Sequence, residues 1–111
     1  MRNHGGLPAD RLRKMPWHER VGMVASELSR TDSLHRMGGG SGLEGCVVRA
    51  RELMGIVESS PDIPLEHAAV LAGVARMMGR TRLLSERDLA GRLCGQLTGI
   101  YVSAKAPAGT A

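Results

Sequence analysis

Four histidines, two cysteines and a run of glycines are the residues of this chain best suited to chemistry, and their spacing argues against it. His4, His18, His35 and His67 are scattered, with Asp32-x-x-His35 the one pair at a metal-ligand spacing. A zinc site needs three or four protein ligands, so that pair falls short and no metal is expected. His67 shares a helical seam with Leu71, Val74 and Met78, the setting of a hydrogen-bonded core histidine, and the adjacent Glu66 points to another face. Cys46 and Cys94 lack a motif that would favour a thiolate and read as buried free thiols of a reducing, cytoplasmic compartment. Gly38-Gly39-Gly40-Ser41-Gly42 has neither the following Lys-Ser/Thr nor the preceding strand of a phosphate-cradling loop. The expectation is a protein with no catalytic residue and no cofactor.

The composition says what must hold these residues. The 111 residues include no Phe, one Trp and one Tyr, so the core falls to Leu, Val, Ala and Met. Residues that favour strands are scarce and helix formers are plentiful, which predicts an all-α fold. The +4 net charge rests mainly on arginine, which suits carboxylate or phosphate partners without requiring one. Met1 to Asp10 has no apolar h-region, and the longest uncharged stretch, Leu93 to Ala104, is only 12 residues, so no membrane role is expected.

The pattern divides into a disordered segment over 1–9, a helical domain over 10–103 and a flexible tail over 104–111. Short helical turns are expected over Asp10 to Met15 and Thr31 to Met37, the second capped by Thr31 or Asp32. Between them a long helix starts at Pro16, with Trp17, Val21, Val24 and Leu28 on one stripe. A second starts at Ser41, where Ser41-x-x-Glu44 has capping-box spacing, and places Leu43, Cys46, Val47, Ala50, Leu53, Met54 and Val57 within about 120° of arc. A third runs from Pro64 to Met78 and stops at Gly79; it is apolar nearly all round, which predicts the central position. A fourth is capped by Ser85-x-x-Asp88 and runs to Ser103, with Leu89, Ala90, Leu93, Cys94, Leu97, Ile100 and Tyr101 on its core face. Four long helices with short links predict a single-domain, up-and-down, four-helix bundle-like fold.

Function is then expected on surfaces. The fourth helix carries Gly91, Gly95, Gly99 and Ser103 on a second face, and each interior glycine costs up to about 1 kcal/mol of helix stability. Close approach of another helix is the physical use for such a stripe, so it is the expected helix-packing or homodimer interface. Val48 and Ile56 fall off the second helix's main arc and are assigned to partner binding, with Arg80, Arg82, Arg87 and Arg92 as a basic rim. These features predict a non-enzymatic interaction module, a regulator of inhibitor or antiactivator type that docks a helix face on a larger protein. Glu66 to Arg82 also resembles a degenerate helix-turn-helix, with Ala69 and Gly73 at the packing and turn positions. That resemblance implies the alternative, a small DNA-binding regulator of transcription using Arg76, Arg80 and Arg82.

Overall fold

The computed structural model describes residues 9–105, and within them the fold is all-α. Six helices follow in order: α1 (Ala9–Arg13), α2 (Trp17–Arg36), α3 (Gly42–Glu58), α4 (Leu65–Met77), α5 (Arg80–Ser85) and α6 (Leu89–Lys105). The disorder expected over 1–9 and the flexible tail over 104–111 lie almost wholly outside the described residues; Ala104 and Lys105 close α6.

Helix α2 is longer than expected, because no break occurs at Thr31. The Thr31 hydroxyl donates to the Glu27 carbonyl at 2.9 Å, and Asp32 pairs with Arg36 one turn on, so both potential caps are used inside the helix. It stops where glycine permits. Gly39 N–H donates to the Leu34 carbonyl at 2.7 Å and Gly38 N–H to that of His35 at 3.1 Å, a Schellman closure. Gly38, Gly39 and Gly40 stand at φ 94°, 93° and 122°, a left-handed region that L side chains rarely adopt.

The two expected capping boxes do not form. Ser41 stands at the N-cap of α3 with helical dihedrals and no side-chain cap bond, and Glu44 is drawn instead to Arg80. Ser85 ends α5, its hydroxyl donating to the Thr81 carbonyl at 2.8 Å, and α6 starts at Leu89.

The long helices alternate in direction. Arg20 meets Asp62 and Glu27 meets Arg49, so α3 runs antiparallel to α2. Tyr101 covers Gly22 and Cys94 reaches Ala25, so α6 runs antiparallel to α2 as well. The core is aliphatic, with Val24, Leu28, Val47, Met54, Leu83, Leu93 and Leu97 all buried. The central helix is α2, packed between α3 and α6, and not α4 as its apolar sequence predicts. Helix α4 buries only Leu71 and Val74. α2 takes the centre because it is long enough, at 20 residues, to meet both neighbours along their length.

Four buried polar residues, Arg20, Glu27, Thr31 and His35, recur along α2. Arg20, 4% exposed, uses every N–H of its guanidinium. Nε and Nη2 donate to the Met15 carbonyl at 3.2 and 2.9 Å, Nη1 and Nη2 to the two Asp62 oxygens at 3.2 and 2.7 Å, and Nη1 also to Ser60 Oγ. At the far end, His35 Nε2 donates to the Leu83 carbonyl at 2.8 Å and ties α5 down.

The Arg20–Asp62 pair is asymmetric, since the Asp62 side chain is 49% exposed. Removing Arg20 leaves a carboxylate that rehydrates, whereas removing Asp62 leaves a buried cation short of acceptors. Asp62→Ala is therefore expected to cost about 3 kcal/mol in urea denaturation and Arg20→Met about 1–2 kcal/mol; the reverse ranking contradicts this account. Hydrogen bonds from Arg20 hold the Asp62 carboxyl below its ordinary value. Its contribution is thus complete above the unfolded carboxyl range of about 4 and is lost as pH falls through the lower folded value. The gap in melting temperature between the parent and Asp62→Asn is expected to be wide at neutral pH and to close in acid.

Candidate functional site

A cleft of about 470 Å³ runs between α2 and α6. Gly22, Met23, Ala25, Ser26 and Ser29 line it from α2, and Cys94, Thr98 and Tyr101 from α6. Small side chains at one-turn intervals keep its floor open. Gly22 gives space to Tyr101: a Cβ there would stand 3.0 Å from the ring's Cδ1. The half-buried Cys94 thiol donates to the Ala25 carbonyl at 3.3 Å. At the cleft's mouth, Lys105 Nζ donates to the Tyr101 hydroxyl at 3.2 Å, and His18 lies 5.8 Å from the same ring. The lining is mostly hydroxyls and apolar surface with one acidic residue, Glu19.

The glycine stripe of α6 borders this cleft. A Cβ on Gly91 would meet Asp32 Oδ1 at 3.0 Å, so this glycine has a reason inside the chain. Gly95 and Gly99 have none: a Cβ at either meets nothing within 4 Å, both are exposed, and so is Ser103. Val102, on the same side by its helical angle, is 60% exposed.

The arginines assigned to the rim do not line the cleft. Helix α6 starts later than the Ser85 cap predicts, which leaves Arg87 in the turn before it, and α5 packs on α3. Arg80 pairs with Glu44. Arg82 holds Glu86 through two contacts of 2.8 and 3.2 Å, which lower the Glu86 carboxyl and raise the Arg82 guanidinium. Arg76, Arg87 and Arg92 are exposed and make no ion pair among the described residues. Val48 is exposed on α3, while Ile56 is half-buried and its carbonyl accepts the Ser59 and Ser60 hydroxyls. Neither of them lines the cleft. In the segment resembling a helix-turn-helix, Gly73 lies within α4; the chain turns at Met78–Gly79, and the helix that follows has six residues.

Among the described residues no three of His, Cys, Asp and Glu gather as metal ligands. Asp32 and His35 diverge, one to Arg36 and the other to Leu83. His67 lies 5.3 Å from the Trp17 ring. Cys46 is buried and Cys94 half-buried, both free thiols. None of the described helices is long and apolar enough to cross a membrane.

One buried group has no counterpart in the sequence reading. Glu27 Oε2 accepts from Arg30 at 2.8 Å and Arg49 at 3.4 Å, while Oε1 is buried without a hydrogen-bond partner among the described residues. The available signal was positional, since Arg20, Glu27, Thr31 and His35 share one helical stripe with Val24.

The glycines divide by experiment. Gly95→Ala and Gly99→Ala are each expected to raise stability by about 0.5–1 kcal/mol, through helix propensity alone. Gly22→Ala is expected to lose that gain, because its methyl presses on Tyr101. Thermal melts of the three variants decide, and a loss at Gly95 or Gly99 would contradict an open face. In comparisons with known proteins, no family model, no curated protein and no solved structure matches this chain.

Proposed function

We propose that this chain is a non-enzymatic helical interaction module, a regulator of inhibitor or antiactivator type that receives a helix of a larger protein along the α2–α6 cleft. One observation carries the reading: Gly95 and Gly99 weaken α6 without relieving any contact inside the chain. Glycines there let a second helix backbone come close, and the adjoining cleft offers its side chains a seat. Such a helix would present small residues to the stripe and hydrogen-bonding groups to Ser26, Ser29 and Thr98. Self-association into a homodimer belongs to the same reading, as does a reducing, cytoplasmic setting for the free thiols. The second reading, DNA binding through Arg76, Arg80 and Arg82, is weakened by the carboxylates that already hold Arg80 and Arg82.

The test is a pull-down from the native host, run in parallel with the parent and Gly95→Leu. A protein retained by the parent and lost with the variant is the expected result. Equal recovery by both overturns the cleft as the docking place. Duplex DNA binding at about 50 mM salt, weakening steeply as salt rises, would favour the second reading instead.

A further inference from the structure

Helix α4 is in the wrong place for its sequence. Of its 13 residues only Glu66, His67 and Arg76 carry polar side chains, a pattern that belongs to a helix covered on all sides. Yet it packs at the edge of the fold, with Leu65 90% and Val70 46% exposed. Its outward surface consists of the exposed Leu65, Ala69 and Val70 and the half-buried Gly73, with Glu66 near one end and Arg76 near the other.

We infer that this surface is a self-complementary, two-fold interface between two copies of the chain. The charge pattern names the occupant. Glu66 and Arg76 stand five positions either side of Leu71, the midpoint of α4. In an antiparallel pair centred on Leu71, each Glu66 comes beside the partner's Arg76, giving two ion pairs about 15 Å apart along the helix. Both charges are available for it. Arg76 makes no ion pair among the described residues, and Glu66 has only its neighbour His67, at 3.6 Å.

The same register brings Ala69 opposite the partner's Gly73. A Cβ on Gly73 would meet a single atom, Nη2 of the Arg76 guanidinium at 3.8 Å, so the backbone there is covered within the chain by one long side chain alone. Small residues at the centre let the two helix axes approach to about 8 Å. Leu65 reaches the level of the partner's Ala75 to Met77, beside a cleft of about 270 Å³ between α3 and α4 that Arg51, Glu58 and Arg76 line together with Met54, Ala75 and Met78. Contact therefore extends beyond one helix, as an interface of about 1,000 Å² requires. A foreign protein would have to supply this alternation of charge; a second copy supplies it by symmetry.

This assignment rests on the chain being self-associating, and the experiment separates the two claims. Sedimentation equilibrium of the parent is expected to give twice the 11.8 kDa chain mass. Glu66→Arg and Arg76→Glu are each expected to weaken the dimer at least about tenfold, and the double reversal to restore it to within about threefold of the parent. Leu65→Ser is expected to weaken it with unchanged helicity by circular dichroism, since that side chain makes little contact within one copy. A parent monomeric at about 100 µM overturns self-association and the α4 assignment together. A dimer that ignores all four variants but is broken by Gly95→Leu overturns the α4 assignment alone and returns the interface to α6.

Discussion

The guanidinium of Arg20 sits where three segments meet, and the placement of the outer helices follows from it. It joins the start of α2 to the Met15 carbonyl on one side and to the loop between α3 and α4 on the other, through Ser60 and Asp62. Ser60 passes the restraint on, because its hydroxyl donates to the Ile56 carbonyl near the end of α3 at 2.7 Å. A slide of one turn would strip a buried cation of its acceptors, a far larger cost than mismatched methyl groups. The register is therefore held by charge at one end and by the His35–Leu83 bond at the other, with hydrophobic burial supplying most of the stabilisation between them.

Helix class and helix faces were readable from the residues because they depend on period alone. Leu89, Leu93, Leu97 and Ile100 are buried as their spacing implies, and so are Cys46, Val47, Ala50, Met54 and Val57. What local pattern misses is competition. Ser41-x-x-Glu44 has the spacing of a cap, but Glu44 pairs with Arg80, distant in sequence, and Ser41 makes no side-chain cap bond. Thr31 looks like a start signal, yet inside a long helix its hydroxyl finds a carbonyl one turn back. Rank within the bundle was equally hidden. Apolar content shows how much of α4 wants cover, but not whether this chain or another provides it.

The site was readable only in part. The glycine period of α6 stands in the sequence, whereas Gly91 answers to Asp32, and Gly95 and Gly99 to nothing, only through the way α6 packs on α2. The arginines grouped by proximity along the chain separate in space, two held by carboxylates and the rest turned to solvent. The result is a molecule with two uncommitted surfaces on different elements, the α2–α6 cleft and the outer face of α4. Their separation leaves room for self-association and for capture of a partner to occur together.

The one tryptophan gives this arrangement an optical consequence. Trp17 stands at the first turn of α2, with the His67 ring at 5.3 Å and the His18 ring at 6.0 Å. Its emission is thus a local gauge of the seam where the N-termini of α2 and α4 touch. Loosening of α4 will register in fluorescence, while fraying of α5, or of α6 away from Tyr101, will leave the signal almost untouched. An unfolding curve followed by tryptophan alone therefore weights the end of the core that Trp17 covers, where α2 meets α4.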